Sequence, residues 1–294
     1  MEALAKILKT ERYKKIIVMC GAGISVGSGI PDFRSPDSGL YPSIKKELSL
    51  KKKKPTFVFE LDTFLSDPRP FWWIFTRMWN NFSNAYPTYF HFFIKLLNDH
   101  NLLLRCYTQN IDGLEEAAGV SKDKIIYAHG EMGTCVCLNC KKEFPITYSI
   151  KQIQQNFSEP HLTIENTVVP KCDNCGSNLI KPSAVFFQQD LPDKFFDQYP
   201  KDFAETDLII IAGTSLEVYP FASLPSKAGE NVPRYLINKD MIKSLGRYRF
   251  KKGKDYFIGG DCQEFVQNIC KILGWENDLN ALYESRESTG KRWV

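Results

Sequence analysis

The chain has 294 residues, 43% of them hydrophobic, enough for one sizeable core or for a large domain carrying a smaller module. Lys and Arg total 38 against 34 Asp and Glu, and a net charge of +4 this evenly mixed argues for neither direct nucleic-acid binding nor a membrane-surface protein. No apolar run approaches the roughly 18 residues of a bilayer span, so a soluble protein with no membrane partner is expected.

The start, "MEALAKILKTERYKK", mixes acids with bases and lacks both the basic-then-apolar order of a secretory signal and the acid-poor composition of a mitochondrial presequence. Nine cysteines, an odd number, fit free thiols and a metal in a reducing compartment better than a disulfide framework. The expected location is the cytoplasm, with the nucleus as the second choice. Partner-binding tails are not expected beyond the short basic end "GKRWV".

In chain order, buried strands are predicted in seven apolar segments: "KKIIVMC", "LLLRCYT", "KIIYAHG", "SAVFF", "DLIIIAG", "RYLIN" and "DYFIGG". Between most of them lie stretches of helical spacing, such as "PTYFHFFIKLLNDH" and "CQEFVQNICKILGW". This alternation predicts an α/β fold with a mostly parallel sheet covered by helices on both faces. Two segments interrupt it, an aromatic and Lys-rich one and one holding five of the nine cysteines. The expected organisation is a sheet domain made of 1–42, 85–132 and 183–294, a helical module at 43–84 and a small metal-binding module at 133–182.

The chemistry-bearing motifs fall after the strands, where ligands of such sheets bind. Gly21, Ala22 and Gly23 follow the first strand and suit a tight turn whose backbone N–H groups approach a pyrophosphate. Alone, this turn is equally a structural one. Val26 stands where a dinucleotide fingerprint has its third glycine, and no acid-tipped second strand follows at dehydrogenase spacing. Pro31 stops any helix begun here and puts Asp32, Phe33 and Arg34 on an extended loop. An acid, a ring and a guanidinium together suit an amide, an aromatic face and a phosphate or carboxylate.

Further on, "TQNIDGL" supplies Gln109, Asn110 and Asp112, and "AHG" supplies His129, one of four histidines. Read alone, His129 is either a structural residue or an acid–base group. "AGTSLEV" brings Gly213, Thr214 and Ser215, and "LINKD" brings Asn238 and Lys239. Two C-x-x-C pairs, Cys137 with Cys140 and Cys172 with Cys175, have the spacing of a tetrahedral zinc site. Four thiolates leave no open coordination position, so that zinc is expected to be structural, with Cys135 a bystander.

Taken together, "GAGISVGSGIPDFRS", "TQNIDGL", "HG" and "GTSLEVYPFASLP" resemble the sirtuins, over nearly the whole chain and closest to the class I branch of cytosolic tubulin and histone deacetylases. The resemblance implies a Rossmann-like large domain with a small zinc domain, and NAD-dependent removal of acyl groups from lysine. It implies that Ile30 and Asp32 hold the carboxamide of NAD+, that Phe33 shields the ribosyl carbon and that Arg34 meets the phosphates. Further cofactor contacts are implied at Gly21, Ala22, Gly23, Ile24, Ser25, Gln109, Asn110, Ile111, Asp112, Gly213, Thr214, Ser215, Asn238, Lys239, Asp240 and Cys262.

The implied mechanism has the acetyl-lysine oxygen attack ribose C1′ as nicotinamide leaves, giving an imidate. His129 serves as general base on the ribose hydroxyls, Asn110 orients the ribose and a water, and the products are free lysine, nicotinamide and 2′-O-acetyl-ADP-ribose. Acylated lysine-containing proteins, with histone or tubulin-like tails among them, are the implied partners.

Substrate is implied to lie as an extended strand between Val185, Phe186 and Phe187 on one side and Glu217 and Val218 on the other. The family reads "VFFGE" where this chain reads "VFFQQ", so Gln188 and Gln189 depart from its glycine and glutamate. Phe75 and Met78 stand where acid-acyl-specific members carry a Tyr-x-x-Arg pair, which favours acetyl or longer apolar acyl groups. A further departure is the basic stretch "KKELSLKKKK", readable as a solvated lysine face, as a contact for acidic protein tails, or as a nuclear localisation element. Two other functions are weighed: a mono-ADP-ribosyltransferase, and a non-catalytic NAD-responsive binding module.

Overall fold

The computed structural model describes residues 1–10, 12–242 and 253–289, and the basic end at 290–294 lies outside the described residues. Its contacts divide the chain into two units, the first made of Met1–Gly29, Tyr86–Ala128 and Pro192–Gly290, the second of Ile30–Ala85 and His129–Leu191.

The first unit holds a six-stranded parallel sheet of β1 (Ile16–Cys20), β2 (Leu103–Thr108), β3 (Ile125–Tyr127), β7 (Leu208–Ala212), β8 (Arg234–Asn238) and β9 (Asp255–Gly259), in the order β3-β2-β1-β7-β8-β9. Every residue of the two central strands is buried, which is why both read as unbroken apolar runs. Helices Glu2–Lys9, Tyr89–Asp99 and Cys262–Leu273 pack their apolar faces on the sheet in one core with Val18, Ile210 and Ile237. Strand order reverses between β1 and β7, and the crevice beyond the carboxyl ends of those strands is where doubly wound sheets bind ligands. The fold is Rossmann-like, as expected.

The second unit contains helices Leu40–Glu47, Leu61–Ser66 and Arg69–Ser83 and a three-stranded antiparallel sheet in the order β5-β4-β6, from β4 (Thr134–Cys137), β5 (Glu143–Pro145) and β6 (Ile180–Pro182). Its aromatic core links Phe33 to Phe59, Phe59 to Phe71 and Phe71 to Phe186, with ring centroids 6.3, 6.4 and 4.8 Å apart.

One predicted strand is corrected. Among the described residues, "SAVFF" joins neither sheet and makes a single parallel bridge, Phe187 with Glu60. Its apolar residues are drawn to different surroundings, Phe186 into the aromatic core and Phe187 out to solvent at 39% exposure, so it cannot lie within a covered sheet.

Candidate active site and metal centre

In the first unit, the turn after β1 is short and glycine-dependent. Gly23 N–H donates to the Gly213 carbonyl at 2.8 Å, bringing the loops that follow β1 and β7 into backbone contact at the strand-order reversal. A Cβ on Gly23 would stand 2.6 Å from Gly213 Cα, and one on Gly213, at φ +59°, would stand 2.5 Å from Ile24 N. Ala22–Ile24 and Val26–Ser28 are single 3-10 turns, and Gly29 at φ +87° ends them before Pro31 is reached.

Four predicted residues of this unit form one hydrogen-bonded group. Asn110 Nδ2 donates to the Gly21 carbonyl and to Ser25 Oγ, both at 3.2 Å, and Ser25 Oγ donates to Asp112 Oδ2 at 2.7 Å. The other Asp112 oxygen accepts the Leu114 N–H at 2.9 Å. Ser25, Asn110 and Asp112 are buried, so their orientations are fixed by these bonds and not by solvent. Thr214 Oγ1 donates to Gln109 Oε1 at 2.5 Å and accepts the Leu216 N–H at 3.1 Å, while Asn238 Nδ2 donates to the Thr214 carbonyl at 3.3 Å. Ile24 is fully buried, Ile111 and Ser215 are half-buried, and Lys239 and Asp240 are exposed. Cys262 opens the helix whose first turn is capped by Asp261, and its thiol, pushed up to about 12 by burial, is a neutral packing group. Glu217 is exposed, and the Val218 carbonyl accepts the Ala222 N–H at 2.9 Å.

Sequence reasoning missed Glu115. It is fully buried, 3.6 Å from the Cys20 thiol that donates to it, and among the described residues its Oε2 has no hydrogen-bond partner. Burial, then the Asp112 carboxylate, pushes its pKa up to about 7. Its neighbour Glu116 is exposed, so "LEE" gives no sign of which acid is inside.

In the second unit, Ile30 is buried and the Asp32–Arg34 segment is a loop, as Pro31 predicts. Asp32 Oδ1 accepts the N–H groups of Arg34 and Ser35 at 3.1 and 2.8 Å, and Oδ2 accepts the Ser35 hydroxyl, so this acid shapes its own loop. Phe33 packs on Tyr41 at 5.5 Å, and the exposed Arg34 lies 5.8 Å from the same ring. The half-buried His129 accepts the Val185 N–H on its carbonyl at 2.8 Å. Gly130 follows at φ +71°, where a Cβ would stand 2.2 Å from the Ser183 carbonyl oxygen.

The four predicted zinc ligands of this unit come together. Cys137, Cys140, Cys172 and Cys175 place all four sulfurs within 4.8 Å of one another, with Cys137–Cys175 at 3.6 Å and Cys140–Cys172 at 3.5 Å. Thiolates at 2.3 Å from a tetrahedral zinc stand about 3.8 Å apart, so the cage fits the ion. Hydrogen bonds from the Asn174 side chain and the Lys142 backbone hold the Cys140 thiol down to about 6, ready to ligate. Cys135, on the same strand as Cys137, is turned to Ser149 at 3.6 Å and stays outside the cage.

Comparison with known proteins agrees with this geometry. The Sir2 family profile matches residues 21–220, which span the glycine turn, the Asn110 group, His129 and the cysteine cage. The chain is 38% identical over 300 residues to the NAD-dependent protein deacetylase sirtuin-2 of Danio rerio, covering 96% of this chain and 74% of that one. It is 38% identical over 289 residues to the NAD-dependent protein deacetylase hst2 of Schizosaccharomyces pombe, covering 98% and 81%. It is also 38% identical over 279 residues to the NAD-dependent protein deacetylase sirtuin-3 of Mus musculus, covering 95% and 78%. With its switch-point glycines, its buried Asn110 group and its four-sulfur cage on one chain, this protein belongs to the Sir2 family.

Proposed function

We propose that the chain is an NAD-dependent protein-lysine deacetylase, with NAD+ as co-substrate and one structural zinc. The observation that carries this reading is the Gly21–Ser25–Asn110–Asp112 group, built where a doubly wound sheet binds a dinucleotide, in a chain whose Sir2-family match extends through His129. Bound NAD+ supplies an electrophilic ribose carbon once its nicotinamide leaves.

The residues of the chain do the rest. Gly21 and Gly23 let the loop after β1 pack against Gly213 and Thr214, which a Cβ at either would meet, and so set its backbone N–H groups at the switch point for a phosphate. Asn110, with one amide hydrogen on Gly21 and the other on Ser25, keeps its Oδ1 for a ribose hydroxyl or a water. Asp112 holds the Ser25 hydroxyl in place. Phe33 shields the reacting carbon, and the imidazole of His129 takes a proton from a ribose hydroxyl. Val185, Phe186 and Phe187 wall the acyl-lysine stem, with Glu217 and Val218 on the other strand of the substrate. The zinc cage supports its own small sheet and does no chemistry.

The substrate class is acylated lysine in protein, with acetyl or longer apolar acyl groups favoured because buried Phe75 and half-buried Met78 offer no counter-charge for an acidic acyl group. Histone-like and tubulin-like tails are the finer reading. Lys51–Lys54 are exposed, and Lys53 Nζ lies 3.8 Å from the centre of the Phe57 ring, leaving its neighbours for acidic segments of such partners. The cytoplasm, with the nucleus second, is the proposed location, in keeping with nine cysteines of which none is in a disulfide. Incubation with NAD+ and an acyl-lysine peptide panel, read by mass spectrometry, tests the reaction. Acyl-ADP-ribose with free lysine supports it, while ADP-ribosylated protein or intact NAD+ overturns it. Unchanged peptide KM and cellular distribution after Lys51–Lys54 are changed to Ser removes the role given to that stretch.

A further inference from the structure

Gln188 stands at φ +76°, a left-handed conformation that favours glycine, and it is held there by its own side chain. Gln188 Nε2 donates to Asp62 Oδ2 at 2.8 Å, and Gln188 Oε1 accepts the Asp62 N–H at 3.3 Å. One amide thus grips both the backbone and the carboxylate of a single residue.

The backbone beside this grip is tied in the same direction. Phe187 N–H donates to the Phe59 carbonyl at 2.9 Å, and Leu61 N–H donates to the Phe187 carbonyl at 3.2 Å. In a parallel bridge both groups of the bridged residue point to one side, and an extended neighbour turns its own to the other. Phe186 has its N–H on Gln189 Oε1 at 2.9 Å and its carbonyl on the Gln189 N–H at 3.1 Å. Among the described residues, nothing takes the Gln188 carbonyl or the Gln188 N–H, and that N–H points away from Leu61 because it lies opposite the Phe187 carbonyl in one peptide plane. That leaves two backbone groups at the end of the Phe187 bridge open to a bound peptide, next to the exposed Phe187 ring.

We propose that the Gln188–Asp62 pair is a latch that presets these backbone groups and makes both residues positioning residues for the acyl-peptide. The inference rests on the deacetylase reading above, and deepens it. A loop with glycine at 188 reaches a left-handed conformation freely but is not kept in it, whereas here a side chain whose Cβ disfavours that conformation holds it through two hydrogen bonds to Asp62. The latch acts on peptide affinity and not on the chemical step, because neither residue belongs to the proton-transfer machinery.

The test uses the full chain with Gln188→Glu, Asp62→Ala, the two combined, and Asp62→Asn. Gln188→Glu sets a carboxylate against the Asp62 carboxylate with almost no change of shape, and Asp62→Asn keeps both an acceptor and the N–H. The first two are expected to raise the Kd and KM for an acetyl-lysine peptide about three- to tenfold, to leave kcat within about twofold, and to speed amide hydrogen exchange at 185–189. The combined variant is expected to be no worse than the worse single one, and Asp62→Asn to match the parent. Parental peptide Kd and exchange in Gln188→Glu and Asp62→Ala overturn the latch, as does a fall in kcat equal to the rise in KM. If the parent binds acetyl-peptide without consuming NAD+, the deacetylase reading fails and the latch is judged on Kd and exchange alone.

Discussion

The carbonyl of His129 accepts the backbone N–H of Val185 at 2.8 Å, so the residue assigned to proton transfer and the first residue assigned to the acyl channel are joined through their main chains. Gly130, which a Cβ would drive into the Ser183 carbonyl, keeps the same two segments close from the other side. Since the link is main chain to main chain, the imidazole can be removed without losing it. His129→Ala is expected to lower kcat by about 10²- to 10⁴-fold, the ordinary value of a general base, while Tm stays within a few degrees of the parent. Steady-state kinetics beside a thermal melt checks this, and near-parental turnover would show that another group takes the proton.

The glycines at the switch point differ in what they tolerate. Gly213→Ala must move the Ile24 backbone, 2.5 Å from the new methyl, and is expected to cost more than about 3 kcal/mol and to leave little folded protein. At Gly29, also at positive φ, an added Cβ has none of the described residues within 4 Å, so Gly29→Ala should cost only the roughly 1–2 kcal/mol of left-handed strain. Urea unfolding of the pair discriminates contact from conformation, and equal losses would refute the clash.

Glu115 gives stability a pH dependence of definite sign. Its pKa rises from 4.5 in the ordinary range to about 7 in the fold, first through burial and then through the Asp112 charge. Between those values the unfolded chain has released the proton that the native chain retains. The contribution of Glu115 is therefore complete below pH 4.5, is lost as pH climbs to about 7, and is constant above. Glu115→Gln removes the loss, so between pH 5 and 8 the variant should gain roughly 3 kcal/mol relative to the parent. Denaturant titrations at the two pH values measure the difference, and a constant gap between the proteins would contradict it.

Removing the metal should act through the fold. Cys140→Ser, or treatment with a strong chelator, is expected to take bound zinc from about one per chain to none and to lower Tm by on the order of 10 °C. Activity should fall with folding and return when the parent is refolded with zinc. Metal content, melting curves and turnover on the same samples make the check, and full activity in a zinc-free, folded chain would assign the cage no supporting role.

The central sheet was legible because β1 and β7 are covered on both faces and therefore have to be apolar at every position. The cysteine cage was legible because chelation imposes spacing on sequence. The strand misread at "SAVFF" has the same composition as a core strand, and only its lack of a second partner, a property of the rest of the molecule, separates the two. β4, β5 and β6 were missed since "TCVC", "EFP" and "IKP" are too short to show alternation and carry exposed Thr134 and Glu143. The positions of Ser25, Asn110 and Asp112 could be proposed from their motifs, but the bonds among them could not. Gln188 hid its left-handed backbone by not being glycine.

The sulfur atoms divide by accessibility. Cys20, Cys106, Cys135, Cys262 and Cys270 are buried, as are Cys137 and Cys172 of the cage, and burial pushes Cys135, Cys262 and Cys270 up to about 12, while the cage's Cys140 is half-buried and its Cys175 exposed. Peroxide or an alkylating electrophile meeting the folded protein therefore arrives first at Cys175 and Cys140 of the cage, so the earliest sign of oxidative damage should be ion release, well before any lesion among the buried thiols of the parallel sheet.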